Sequence, residues 1–229
     1  MAQDSVIFAA LETAAKRRYK GFRIRYKNES FLMRVLARIL WIVRFDRVTT
    51  TWGATVWFPC RSWVEGGVVS GGYRAAWKTL AHELVHVSDR ERFGVAFPLM
   101  YAFPQVLVLL ALPAVFAIDG DPHWLWWLAF LVFAAPIPSP TRAWLELRGY
   151  SMSMAVNYWR YGAVVQETRN WVLLALTSPL YYWMLPVRRW AATWLARYES
   201  RLKRGVLFEG RAGEPFRLVS DVLNSVRDR

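Results

Sequence analysis

The sequence predicts a mainly helical α+β protein. Its small core pairs a short antiparallel sheet with one HExxH helix, and an apolar helical hairpin and further apolar or amphipathic helices are built onto it. Three observations lead there. Residues 21–26 alternate apolar and basic side chains, and 48–58 are rich in threonine, valine and tryptophan, as half-buried strands are. His82-Glu83-Leu84-Val85-His86 sits inside helix-forming sequence that begins after Gly71-Gly72 and stops at Gly94. Two uncharged runs, 94–118 and 122–141, follow it, separated by the acidic turn Asp119-Gly120-Asp121. These features divide the chain into 1–93 (sheet and HExxH helix), 94–141 (hairpin) and 142–229 (a second site helix, an apolar segment and a basic amphipathic helix).

In chain order, 4–18 reads as a helix with Asp4 as cap and Lys16, Arg17 and Arg18 at the end where cations suit the helix dipole. A strand over 21–26 follows, then a helix over 31–43 capped by Ser30. Arg34 and Arg38 lie one turn apart on that helix and its other faces are apolar, which fits either an interfacial membrane helix or a core helix with one wet stripe. Residues 48–58 read as a strand with Gly53 as a bend or bulge, and 62–72 as loop. The HExxH helix runs over 73–92.

Composition narrows the function. The 229 residues carry a net charge of +13, 55% hydrophobic residues, 14 tryptophans and a single cysteine, Cys60. One cysteine excludes an intramolecular disulfide and a structural cysteine–zinc site. No secretory leader is expected, because Asp4 and Glu12 interrupt the region where its apolar stretch would lie. Positive charge on this scale fits nucleic acid or the cytoplasmic flanks of membrane segments. No nucleic-acid motif accompanies it, and over 188–204 the aromatic and basic residues separate onto opposite faces as anionic lipid demands, so nucleic acid is the weaker partner.

The 25 residues of 94–118 are long enough to cross a bilayer, whereas 124–139 is marginal and could be re-entrant. Arg90 and Arg92 precede the runs and Arg142 and Arg148 follow them, while the turn is acidic, so the flanks belong on the cytoplasmic side. Burial against partner subunits in a large assembly, such as a virion, is the alternative. A third uncharged run, 170–187, carries Tyr181, Tyr182 and Trp183 as an interfacial belt would, and 218–226 ends the chain as a short helix.

Histidines four apart project from one helix face, so His82 and His86 can share one metal ion, with Glu83 placed to act on an activated water. A pair of histidines on a solvated helix is the bland reading. A catalytic zinc needs a third protein ligand. Asp89 and Arg92 occupy the positions where the metzincin extension requires glycine and histidine, which excludes that subclass. His123 is a donor by type but falls at the far turn of the hairpin. Asp119-Gly120 suggests the intramembrane site-2 proteases, yet the charges around this HExxH, Arg74, Lys78 and Asp89 to Arg92, argue against a membrane-buried helix. Glu146 remains, because a hairpin brings its own two ends together; a surface glutamate paired with Arg142 is its other reading. Tyr150, one turn on, can orient a ligand or donate to a developing oxyanion. The strand over 49–58 can bind substrate in extended form or serve as a plain structural strand.

HExxH, an apolar hairpin and a helical glutamate together resemble the gluzincin metallopeptidases, specifically the membrane-bound Ste24/HtpX type, over roughly residues 79–150. There is a weaker resemblance to short metallopeptidase-like proteins of tailed phages. The first resemblance implies a zincin-like core, with His82, His86 and Glu146 as zinc ligands, Glu83 as general base, and a peptide or protein as substrate. Tyr150 stands where that family places an aspartate supporting a histidine. Expected partners beyond the substrate are membrane lipid or apolar partner subunits. The expected location is the membrane, with the site on the cytoplasmic face, or alternatively the virion.

Overall fold

A computed structural model describes residues 2–39, 44–65, 76–119, 122–135, 137–178 and 184–227. The chain is α+β and mainly helical. Helix α1 (Ala2–Arg18) leads into strand β1 (Arg23–Tyr26), helix α2 (Phe31–Ile39), strands β2 (Thr50–Trp52) and β3 (Thr55–Phe58), and a short helix α3 (Arg61–Glu65). Helices α4 (Ala76–Phe93) and α5 (Ala96–Ala102) come next. Two 3-10 arms, Gln105–Asp119 and Pro122–Ala134, form the hairpin. It returns into α6 (Pro140–Tyr161), α7 (Gln166–Thr177), α8 (Arg188–Lys203) and α9 (Glu214–Arg227).

Helix α4 is the centre of the fold. Every residue from Leu80 to Asp89 is buried, including the two histidines, so this helix has no wet face there. Helix α6 packs along it as its main partner. Ile7, Leu11 and Ala15, spaced four apart, with Tyr19 just beyond the helix end, give α1 a buried stripe that docks on α4 and α9. The pair of central helices is clamped by an ion pair with almost no access to water. Asp89 accepts both oxygens' worth of bonding from Arg148 (Nε to Oδ1 3.0 Å and to Oδ2 2.9 Å), and the Arg148 Nη2 also donates to the Ala212 carbonyl at 3.2 Å.

The sheet differs from the expected antiparallel one: it is mixed, in the order β1-β3-β2, with β1 parallel and β2 antiparallel to β3. The single strand expected over 48–58 is a hairpin. Gly53, at φ +64°, supplies the left-handed turn residue that lets β2 fold back on β3. Thr51 pairs opposite Val56, which is fully buried, so Thr51 shares the face that packs on α4.

Other helices begin and end near their expected limits, with three differences. Asp4 lies inside α1 and accepts from Trp77 Nε1 at 2.8 Å instead of capping. The uncharged run 94–118 is not one straight span: it breaks between α5 and the first arm, which turn by 89°. Among the described residues no single helix is long and apolar enough to cross a membrane, and only this bent pair passes by length and composition. In α8, Ala191, Leu195 and Leu202 are buried in the main core with Trp194 and Tyr198 packed against it, so most of its apolar face is spent on the protein itself. Residues 40–43, 66–75, 120–121 and 181–183, which include the end of the expected second helix, most of the loop and the aromatic belt, lie outside the described residues.

The hairpin is the opposite case. Its arms pack chiefly on each other, and Leu112 (68% exposed), Trp126 (79%) and Val132 (60%) face outward. Its base is pinned beside the two central helices. Gln105 Nε2 donates to the Ile137 carbonyl at 2.8 Å, Ser139 Oγ to the Phe103 carbonyl, and Thr141 Oγ1 to the Met100 carbonyl at 2.7 Å.

Candidate metal centre

Helix α4 presents His82 and His86 on one face, and α6 brings Glu146 against them. The Nε2 atoms of the histidines lie 3.2 Å apart, and Glu146 Oε2 lies 3.7 Å from His82 Nε2 and 4.0 Å from His86 Nε2. All three residues are buried, and among the described residues they form the one group of three or more donors suited to a metal ion. Both imidazoles are thus aimed at a shared point where the carboxylate is too distant to accept a hydrogen bond from either. A point equidistant from three atoms so separated is about 2.1 Å from each, within the range of zinc bonds to histidine and carboxylate. The three residues can therefore hold a metal ion, and the two Nε2 atoms also stand at hydrogen-bond distance from each other.

Close helix packing makes this possible. Gly149 faces His82 across the interface: a Cβ there would lie 2.5 Å from His82 Nε2 and 2.6 Å from Cε1. Absence of a side chain at 149 is what lets the imidazole lie against the α6 backbone. Tyr150 completes the cradle, with its ring 5.0 Å from that of His82 and 5.1 Å from that of Trp171. The Nδ1 atoms of both histidines are buried without a hydrogen-bond partner among the described residues. Aromatic rings pack on both imidazoles, Tyr150 on His82 and Phe97 and Tyr101 on His86.

Glu83 is buried one residue past His82, and its Oε2 accepts from Thr51 Oγ1 at 2.6 Å. Burial raises its pKa above the ordinary carboxylate value, against the lowering effects of His86 and the Thr51 bond. Glu146 moves the other way. Burial pushes it up too, but the attraction of His82, His86 and Arg142 outweighs that and holds the carboxyl well below its usual range. The two carboxyls are thus shifted in opposite directions, Glu83 upward by burial and Glu146 downward by its basic neighbours.

All five residues singled out from the sequence, His82, Glu83, His86, Glu146 and Tyr150, converge here. His123 stands exposed on the hairpin, apart from the donor group. Three neighbours carry no motif. Tyr101 on α5 donates its hydroxyl to Glu146 Oε1. Lys27, only 2% exposed, donates to the Phe45 and Val48 carbonyls and to Thr50 Oγ1, all within 2.8 Å, and so anchors the approach to β2. Gly149 is the third. Tyr101 left one trace in the sequence, as the only hydroxyl between Gly94 and Pro104.

The comparisons with known proteins leave this geometry to stand alone: no protein-family model, no curated protein and no solved structure matches the chain.

Proposed function

We propose that this chain is a zinc-dependent metallopeptidase of the gluzincin type, acting on a peptide or protein at a membrane surface. The observation that carries the reading is the buried His82–His86–Glu146 triangle with Glu83 on the same helix turn. When bound, zinc would supply Lewis-acid polarisation of a carbonyl and acidify a water molecule. The chain supplies the rest. β2 is an edge strand of the sheet beside α4, so an extended polypeptide added to it would pass Glu83. Glu83, with its raised pKa, takes a proton from the water that attacks the scissile carbonyl. As the carbon–nitrogen bond breaks, Glu83 passes that proton to the departing amine. Thr51 fixes the carboxylate for both transfers.

The outward apolar hairpin, flanked by Arg90 and Arg92 before it and Arg142 after it, supports lipid as its surroundings, with the site on the cytoplasmic side. Fractionation tests this part: release from membranes only by detergent supports it. Recovery in a particle with partner chains supports instead a structural component, such as a virion protein, that keeps this fold. For the chemistry, Glu83→Gln is expected to retain zinc and lose cleavage of a quenched-fluorescent peptide library. Cleavage at the parent rate would end the peptidase reading.

A further inference from the structure

The two oxygens of Glu146 are not equivalent. Oε1 accepts the Tyr101 hydroxyl, and Oε2 is the atom turned toward the His82 and His86 Nε2 atoms at 3.7 and 4.0 Å. A carboxylate left free beside a cation can ligate through both oxygens, and the second would occupy the position that a catalytic site keeps open. We infer that Tyr101 is a positioning residue whose hydroxyl captures Oε1, so that Glu146 offers the metal one oxygen only. The inference rests on the metal-site reading above and assigns the open position to a residue outside the donor set.

The ring of Tyr101 is held independently of that bond. It stands edge-on to His86 at 6.2 Å and 85°, packs 6.0 Å from Phe97, and has the Arg142 guanidinium 4.8 Å from its centroid. Thr141 Oγ1 ties the preceding carbonyl, that of Met100, to the start of α6 at 2.7 Å, which sets α5 relative to the helix carrying Glu146. Tyr101→Phe therefore keeps the packing and removes only the hydroxyl, with its bonds to Glu146 Oε1 and to Arg142.

The full chain loaded with cobalt(II) gives the test, since visible absorption of this ion is strong in four-coordinate sites and weak in expanded ones. Wild type is expected to show the strong spectrum. Tyr101→Phe is expected to weaken it, because the freed Oε1 adds a further donor to the ion. Leu99→Ala, which trims an exposed side chain of the same helix, is expected to keep the wild-type spectrum. A wild-type spectrum in Tyr101→Phe overturns the inference, as does an equal change in Leu99→Ala, which would assign the effect to a general disturbance of α5. Wild type that takes up no cobalt(II) overturns the metal site itself.

Discussion

Gly149→Ala is the sharpest perturbation the structure offers, because it adds one methyl group at the imidazole face. The new Cβ would lie 2.5 Å from His82 Nε2, whereas ordinary contact begins at 3.4 Å, so the ring must retreat by about 0.9 Å. A metal–ligand bond tolerates only about 0.2 Å, so His82 cannot both clear the methyl and keep its place among the donors. Zinc affinity should fall roughly a hundredfold or more, beyond what changes at supporting residues produce. The fold should suffer far less. Overpacking costs about 1–3 kcal/mol, and replacing a mid-helix glycine by alanine returns about 0.5–1 kcal/mol. Competition with a chromophoric chelator reads the affinity, and urea unfolding of the metal-free protein reads the fold. An intact fold that binds zinc like wild type would refute the close approach of α6 to His82.

Three further outcomes follow from particular contacts. Asp89→Asn strands the buried Arg148 guanidinium and should destabilise the chain by about 3–5 kcal/mol in urea, while the double variant Asp89→Leu/Arg148→Met should recover most of it. Burial among neutral acceptors pushes Lys27 down from its ordinary 10.5 to about 7, opposed by Glu83 and Asp46. Between those values the unfolded chain holds a proton that the folded chain has shed, so stability rises with pH from about 7 toward 10. Unfolding midpoints across that window should climb in wild type and flatten in Lys27→Met; equal slopes would contradict the burial. Thr51→Val removes the bond to Glu83 and should lower peptide cleavage without changing zinc content, and a parallel loss of zinc would show that Thr51 supports the ligands instead.

Much of the site was legible because its spacing is local. His82 and His86 are four apart, and helix periodicity alone puts them on one face. Glu146 was reachable by topology, since an uncharged double run that turns back must bring its flanks together, and the pins from Gln105, Ser139 and Thr141 do so. Thr51 and Lys27 were not legible, and Tyr101 showed only as a lone hydroxyl in an apolar run: each reaches the site through strand register or helix docking and carries no motif. Gly149 had a faint signal, a lone glycine among helix formers, which usually marks a close approach. The arms of the hairpin misled for a simpler reason. An all-apolar run has no face, so its sequence cannot report where the helix breaks or what winding it takes. For α8 the amphipathic pattern was right, and the protein core takes up most of the apolar side.

Whether three side chains from two helices share one cation is decided by counting metal. After dialysis against micromolar zinc, wild type should retain one zinc per chain and Glu146→Ala less than about a tenth of that. Wild type without zinc, or full occupancy in Glu146→Ala, would contradict the account.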